Sequence, residues 1–199
     1  MVVDDIDITG FSFSGLIFDC DGTLADTGEL HLRSFQEALA QQGFAMDADW
    51  YHARGGMARV ELLQCFRSEF GIDLDCRRAA WQSIAAFGAM ASSVRPIAAT
   101  ARIIEQFQGE IPMAVASNAE RPVVLATLKA IGMLEAFSAI VTITEAIVPK
   151  PAPRVFLMAA DLLRLPPEEC LVFEDSAEGL TAALAARMKA VDVRPYRTR

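Results

Sequence analysis

The stretch that most constrains this chain is a short apolar run that ends in two carboxylates. Residues 15–18, Gly-Leu-Ile-Phe, are bounded by turn-forming residues and predict a fully buried β-strand. Asp19 and Asp21 follow directly, with Gly22 and Thr23 behind them. Such strands are typical of parallel sheets, whose ligands bind beyond the carboxyl ends of the strands. Two acids there carry a desolvation and repulsion cost that a bound cation would remove, although an aspartate-rich turn before a helix is the common alternative.

Strands and helices are predicted to alternate from Pro96 to the end of the chain. Strands separated by helices of about ten to fifteen residues indicate a parallel sheet with helices on both faces. The predicted fold class is therefore α/β, with a doubly wound, Rossmann-like core. The predicted strands are residues 112–116, 139–143, 170–173 and 190–193, and the predicted helices are residues 98–107, 121–131, 153–163 and 176–186.

The region between the first strand and Pro96 is predicted to be almost entirely helical. Its apolar residues recur at helical spacing, and one glycine pair and single glycines separate the helices. The predicted organisation is an α/β core, residues 1–26 and 95–199, with a small helical domain, residues 27–94, inserted after the first strand. The predicted helices of this insert are residues 27–42, 47–54, 58–70 and 75–91.

Composition and charge exclude several classes of protein. The 199 residues are 53% hydrophobic and 22% charged, which indicates a globular chain with one good core and a small second lobe. Acids outnumber bases by 26 to 18, so the net charge of −8 argues against nucleic acid or an anionic membrane as a partner.

Localisation is predicted from the N-terminus and the cysteines. The acidic first residues do not resemble a signal peptide, and no apolar run is long enough to span a bilayer. The four scattered cysteines have no Cys-x-x-Cys spacing, which favours free thiols in a reducing cytosol. We therefore expect a cytoplasmic protein, with a monomer as the default state.

Three later stretches place polar groups just after predicted strands or in a proline-rich turn. Because the carboxyl ends of parallel strands share one edge of a sheet, these groups are expected to lie near Asp19. Each has an ordinary structural alternative: a helix N-cap, a solvated loop lysine, or an acidic pair favoured by the helix dipole. Their common placement favours a functional cluster. The groups are Ser117-Asn118, Lys150 and Glu174-Asp175.

Together these residues resemble the four motifs of the haloacid dehalogenase-like hydrolases. Residues 19–23, Asp-Cys-Asp-Gly-Thr, match the Asp-x-Asp-Gly-Thr signature, and the three later groups follow in the family's order. The helical insert resembles the small cap of the β-phosphoglucomutase-like subfamily. The resemblance covers the whole chain and implies an enzyme whose cap closes over the active site.

The resemblance assigns roles to the motif residues. It implies that Asp19 is the nucleophile that forms an aspartyl-phosphate, and that Asp21 is the general acid and base. Mg²⁺ is the implied cofactor, held by Asp19, the backbone carbonyl of Asp21 and Asp175, with Glu174 as a further ligand or as a group behind the ligands.

The same resemblance implies how the phosphoryl group is held. The Ser117 hydroxyl, the Asn118 backbone N–H and the Lys150 ammonium would bind its oxygens. In the insert, His31 resembles a residue that gates Asp21, and Arg59 resembles one that contacts a second phosphate or a sugar group. The alternatives are that His31 caps or packs on its own helix and that Arg59 lies on the surface.

The expected function is Mg²⁺-dependent hydrolysis of a small phosphorylated metabolite, a sugar phosphate by resemblance. Asp21 favours phosphate chemistry over dehalogenation, because an alkoxide leaving group needs a proton. The first alternative is a β-phosphoglucomutase-type phosphomutase, whose cap usually supplies a lysine; the insert here contains none, which favours hydrolysis. A catalytically silent binding relative is the second alternative, disfavoured because every catalytic position is filled.

Overall fold

The computed structural model describes residues 5–197, so the outermost residues of the expected core segments, 1–4 and 198–199, lie outside the described range. Residues 1–4 include part of the acidic N-terminal stretch. The elements are β1 Gly15–Phe18, β2 Ala25–Asp26, α1 Gly28–Ala40, α2 Ala48–His52, α3 Arg59–Phe70, α4 Cys76–Met90, β3 Arg95–Pro96, α5 Ala98–Phe107, β4 Met113–Ala116, α6 Arg121–Ala130, β5 Ala139–Val141, α7 Ile143–Ala146, α8 Arg154–Leu163, β6 Cys170–Glu174, α9 Ala177–Ala185 and β7 Lys189–Asp192.

A five-stranded sheet organises the described part of the chain. Its strand order is β5-β4-β1-β6-β7, and each neighbouring pair is parallel. β1 lies at the centre, with Leu16 aligned to Met113 of β4 and to Leu171 of β6. The carboxyl ends of these three strands therefore meet at one edge of the sheet. The predicted doubly wound α/β fold is confirmed.

Apolar side chains cover both faces of the sheet. Successive strand residues point to opposite faces, so Phe18 and Phe173 pack toward α5 and α6 while Ile17 and Val172 pack toward α8 and α9. The rings of Phe18 and Phe173 stack with their centroids 4.7 Å apart. Burial on both faces explains why β1 reads as a continuous apolar run rather than an alternating one.

The helical insert, residues 27–94, has an apolar core of its own. Leu32, Phe35, Leu63 and Phe66 are among the buried residues that hold α1, α3 and α4 together. The insert is bracketed by β2 and β3, which pair antiparallel, so its two ends lie side by side. The sequence analysis predicted that the insert begins after residue 26 and ends before residue 95, but not that the flanking residues pair as strands.

One predicted strand runs into a segment that is helical, whereas the other predicted strand boundaries differ by at most one residue. The strand predicted over 139–143 ends at Val141, and the short helix α7 starts at Ile143. The side chain of Thr142 accepts a hydrogen bond from the backbone N–H of Thr144, and the Glu145 carboxylate accepts one from the backbone N–H of Thr142. This capping box stabilises a helix start and overrides the β-propensity of Ile143.

Among residues 5–197, no helix has both the length and the apolar character needed to cross a membrane.

We predict that the stacked aromatic pair is a main source of core stability. Phe173 is 0% exposed, so Phe173→Ala leaves a cavity and is expected to lower the free energy of unfolding by about 3–5 kcal/mol. Trp81 on α4 is 71% exposed, and Trp81→Ala is expected to change it by less than about 0.5 kcal/mol. Urea unfolding measures both, and equal midpoints for the two variants would contradict this description of the core.

Candidate active site

A cleft of about 490 Å³ lies between the carboxyl edge of the sheet and the helical insert. The core contributes groups that follow β1, β4 and β6, and the insert contributes residues from α1 to α3. The structure brings all of the residues singled out from the sequence to this cleft. They are Asp19, Asp21, His31, Arg59, Ser117, Asn118, Lys150, Glu174 and Asp175.

The centre of the site is a buried ion triad. The Lys150 ammonium donates to Asp19 Oδ1 at 2.6 Å and to Glu174 Oε2 at 2.7 Å, and it lies 4.7 Å from the ring centre of Phe156. Burial alone would lower the pKa of Lys150, but the two carboxylates raise it, so the ammonium stays charged. Lys150 also donates its backbone N–H to Asn118 Oδ1 at 2.8 Å, which ties its loop to the end of β4.

The site holds more negative charge than one lysine can neutralise. Asp19, Glu174 and Asp175 each offer a carboxylate oxygen within 4.8 Å of the others. Burial, then the Glu174 carboxylate, raises the pKa of Asp19 well above its usual range, although Lys150 opposes this. Burial and Glu174 likewise raise the pKa of Asp175 to about 7 against the opposing Arg197. A set of clustered oxygen donors with excess charge fits a hard divalent cation.

Glu174 is fixed by the backbone that follows it. Its Oε1 accepts hydrogen bonds from the N–H groups of Asp175 and Ser176, both at 3.0 Å, and from the Ser176 hydroxyl at 2.9 Å. Ser176 in turn caps α9 by accepting from the N–H of Gly179 at 3.0 Å. A Cβ at position 179 would collide with the Glu174 carboxyl group. Only glycine therefore allows α9 to approach Glu174 this closely.

Asp21 is held from the side of the insert. Its Oδ1 accepts from the Thr27 hydroxyl at 2.7 Å and lies 2.9 Å from His31 Nε2. Burial alone would raise the pKa of Asp21, but the contacts with His31 and Thr27 lower it below the usual value. In this arrangement Asp21 is therefore in its base form.

Arg59 extends the contact between His31 and Asp21 into a series of polar contacts that joins the insert to the core. Its Nη2 lies 3.3 Å from His31 Nδ1, its Nη1 donates to Ser83 Oγ at 2.8 Å, and its Nε donates to Glu120 Oε2 at 2.9 Å. Because arginine only donates, His31 accepts at Nδ1 and carries its hydrogen on Nε2, facing Asp21. Arg59 is 5% exposed, so the alternative of a surface residue is wrong.

His31 packs against α4 and not, as the structural alternative had it, on its own helix. Its ring packs against Phe87 with centroids 4.5 Å apart, and its two nitrogens contact Asp21 and Arg59.

Ser117 and Asn118 do not cap the helix that follows them. The N-cap of α6 is Glu120, whose side chain makes no capping hydrogen bond. Ser117 is buried, and its Oγ accepts from the N–H of Ala119 at 3.0 Å. The Asn118 side chain donates to the carbonyl of Gly56 in the insert at 3.4 Å. The simple capping interpretation of this pair is therefore wrong.

Three residues that shape the site were not singled out from the sequence. Gly179 could have been noticed, because it lies inside a predicted helix and glycine is unfavourable in helix interiors. Arg197 donates to Asp175 Oδ2 at 2.8 Å, and Glu120 pairs with Arg59. Neither contact has a sequence signal, because both partners are remote along the chain.

Comparison with known proteins decides the family. The model of the haloacid dehalogenase-like hydrolases matches residues 16–193. The chain belongs to this family.

Haloacid dehalogenase-like relatives of known name are similar over nearly the whole chain. The fructose-1-phosphate phosphatase YqaB of Escherichia coli is 34% identical over 92% of this chain and 97% of that protein. The β-phosphoglucomutase of Bacillus subtilis is 28% identical over 89% of this chain and 82% of that protein. The crystal structure of a CbbY mutant from Rhodobacter sphaeroides in complex with xylulose-1,5-bisphosphate has a TM-score of 0.82 and 26% identity, over 89% and 84% of the two chains.

These likenesses confirm two expectations from the sequence. The chain resembles the branch of the family that contains sugar-phosphate phosphatases and β-phosphoglucomutases. Family membership together with likeness to a phosphatase identifies it as an enzyme of the phosphatase class.

We predict that Gly179→Ala disturbs the site of this hydrolase through Glu174. The added methyl group must displace the Glu174 carboxyl group and with it the partner of Lys150, so phosphatase activity is expected to fall by about a hundredfold. Gly88 on α4 is exposed with open space around it, and Gly88→Ala should keep full activity. Assays with p-nitrophenyl phosphate compare the two, and full activity in Gly179→Ala would refute the packing role.

A second prediction concerns stability in the absence of metal. Asp175 has a pKa of about 7 in the folded state against 3.8 as its ordinary value, so between these values the folded state binds more protons. Its contribution to stability therefore falls as pH rises from about 4 to about 7 and stays low above that range. In EDTA, Asp175→Asn is expected to gain stability relative to wild type between pH 5 and pH 8.

Thermal unfolding of wild type and Asp175→Asn in EDTA between pH 5 and pH 8 measures the difference in their stability. Asp73 is exposed and does not line the cleft, so Asp73→Asn should follow the wild-type curve. If the difference in stability between Asp175→Asn and wild type were the same at every pH, ionisation of Asp175 would not destabilise the folded state.

Proposed function

We propose that this protein is a Mg²⁺-dependent phosphatase that hydrolyses a small sugar phosphate through an aspartyl-phosphate on Asp19. The observation that carries the proposal is the buried Asp19 carboxylate, 2.6 Å from Lys150, at the floor of a cleft with two further clustered acids. A nucleophile, a cation for the phosphoryl oxygens and a set of metal donors are thus supplied by one sheet edge. The sequence likeness to a fructose-1-phosphate phosphatase supports a sugar phosphate as substrate.

The metal would be held by Asp19, Asp175 and the backbone carbonyl of Asp21, with Glu174 beside them. When bound there, Mg²⁺ would screen the repulsion between the carboxylates and the anionic substrate. The raised pKa values of Asp19 and Asp175 support this assignment, because they show that the acids lack sufficient positive charge on their own.

The chain's own residues would carry the chemistry. In the first step, an Asp19 carboxylate oxygen attacks phosphorus and the bond to the sugar oxygen breaks, giving an aspartyl-phosphate and the free sugar, whose oxygen takes a proton from Asp21. Lys150, the Ser117 hydroxyl and the Asn118 N–H would hold the phosphoryl oxygens while charge shifts toward the leaving group. In the second step, water attacks the same phosphorus, which releases phosphate and restores the Asp19 carboxylate.

Asp21 would move the proton in both steps. Its base form in this structure suits the second step, in which it accepts a proton from the attacking water. The first step needs the acid form. Because the contacts to His31 and Thr27 lower the pKa of Asp21, substrate binding must weaken at least one of them before Asp21 can donate to the leaving oxygen.

We further propose that the insert, residues 27–94, acts as a cap on a core made of residues 1–26 and 95–199. The contacts of Asn118 with Gly56 and of Arg59 with Glu120 support this, since they cross the cleft. The protein would act as a cytoplasmic monomer. All four cysteines are free, which agrees with a reducing compartment.

A phosphomutase is the second candidate, because the β-phosphoglucomutase of Bacillus subtilis is 28% identical. The insert has no lysine, which favours hydrolysis. The names of the relatives also differ in substrate: one acts on a monophosphate and another is complexed with a bisphosphate.

We predict distinct losses from the two aspartates. Asp19→Asn removes the nucleophile and should reduce phosphate release to background, while Asp21→Asn should lower kcat about 10²–10⁴-fold. Asp73→Asn serves as an exposed control. Phosphate release from p-nitrophenyl phosphate and a panel of sugar phosphates is measured with Mg²⁺ or with EDTA.

Each outcome selects one candidate. Mg²⁺-dependent phosphate release that needs Asp19 supports the phosphatase. An isomerised sugar phosphate without free phosphate supports the mutase, and a wild type no more active than Asp19→Asn supports a silent relative.

A further inference from the structure

The positive charges that line the cleft are already engaged by carboxylates. Among the described residues, the three arginines at the cleft each form an ion pair: Arg54 with Glu69, Arg59 with Glu120, and Arg197 with Asp175. The single lysine at the cleft, Lys150, lies between Asp19 and Glu174. Away from the phosphoryl site, each arginine or lysine in the described part of the cleft therefore already faces a carboxylate, and the exposed pair of Arg54 with Glu69 is the one that water screens most.

The ion pair between Arg59 and Glu120 is the most buried of the three arginine pairs. The side chain of Arg59 is 4% exposed and that of Glu120 is 19% exposed, so water screens their attraction only weakly. Ser83 and His31 occupy the other guanidinium nitrogens of Arg59. A second anionic group could reach Arg59 only by displacing Glu120, which would leave a largely buried carboxylate without a partner.

Glu120 is not needed to build the helix that it precedes. Its backbone carbonyl accepts from Val123 and Val124 at the start of α6, while its side chain makes no capping bond. The side chain turns instead toward the insert. Its position is therefore explained by the contact with Arg59 and not by local helix structure.

The remaining wall of the cleft suits hydroxyl groups. Glu178 at the start of α9 is exposed, lines the cleft and faces Gly56 of the insert. The side-chain amide of Asn118 lies on the same side. Carboxylate oxygens such as those of Glu178 accept hydrogen bonds from sugar hydroxyls and repel a second phosphate, whereas the Asn118 amide is already bonded to Lys150 and Gly56.

We propose that Glu120 is a specificity-determining residue that restricts this enzyme to sugar monophosphates by occupying Arg59. The inference rests on the proposed phosphatase function and names its substrate class: a polyhydroxylated compound with one phosphate group. Bisphosphates of the same sugars are rejected, because their second phosphate meets Glu120 and Glu178 where Arg59 is already paired.

The test compares paired substrates in variants of matched charge. The ratio of kcat/KM for fructose 1-phosphate to that for fructose 1,6-bisphosphate is measured, and likewise for glucose 1-phosphate and glucose 1,6-bisphosphate. The variants are wild type, Glu120→Gln, the double variant Glu120→Gln/Arg59→Met, and Glu61→Gln. Glu61 is exposed on α3 and does not line the cleft, so its variant controls for the loss of one negative charge.

We expect wild type to prefer the monophosphate by about a hundredfold or more, and Glu120→Gln to reduce that preference by about tenfold through a gain on the bisphosphate. The double variant has the wild-type net charge and no free guanidinium, so its preference should return toward the wild-type value. Glu61→Gln should match wild type. If Glu120→Gln only loosened the insert, both kcat/KM values would fall and their ratio would stay unchanged, and this result would overturn the proposal. A wild type that hydrolyses both substrates equally would also overturn it.

A binding experiment separates this inference from the proposed function. The Asp19→Asn variant, with and without Glu120→Gln, is titrated with the same paired ligands by calorimetry in the presence of Mg²⁺. Preferential binding of the monophosphate that weakens with Glu120→Gln supports the inference even if wild type shows no turnover. Equal binding of the two ligands, or binding of neither, refutes it.

Discussion

The whole site depends on a charge imbalance built into the carboxyl edge of the sheet. Lys150 bridges Asp19 and Glu174, which are 131 and 24 residues away along the chain, and Asp175 adds a further carboxylate beside them. Taking these groups out of water costs several kcal/mol for each ion, and one ammonium cannot offset the cost for all of them. The fold tolerates the excess because rigid parallel strands fix the backbone from which the acids project. A cation bound among these acids would remove much of the cost.

Most of the fold could be predicted because its signals are local. The buried strands are short apolar runs, and the carboxyl ends of parallel strands must meet, so the convergence of Asp19, Ser117 and Asp175 follows from topology. Lys150 reaches them from the turn between α7 and α8. The helix that starts at Ile143 also has a local signal, Thr142 with Glu145 three residues later, which outweighs the apolar run before it. The contacts of Glu120 with Arg59 and of Arg197 with Asp175 could not be predicted, because they join side chains whose distance is set only by the packed tertiary structure.

The connection between insert and core runs through one chain of polar contacts. Asp21 contacts His31, His31 contacts Arg59, and Arg59 pairs with Glu120 at the start of α6. A displacement of the insert would therefore change the surroundings of Asp21, whose pKa depends on His31. The same series of polar contacts keeps Arg59 paired with Glu120. In this account, proton transfer and substrate choice are both consequences of how the insert packs on the core.

We infer that the acids at the sheet edge form a cation site that is partly protonated when no cation is bound. Calorimetric titration of Mg²⁺ into the protein near pH 7, in two buffers of different ionisation enthalpy, tests it most directly. Since the pKa of Asp175 is raised to about 7 and that of Asp19 well above its usual range, binding of one Mg²⁺ should release protons to the buffer. Absence of binding, or binding with the same heat in both buffers, would contradict the account.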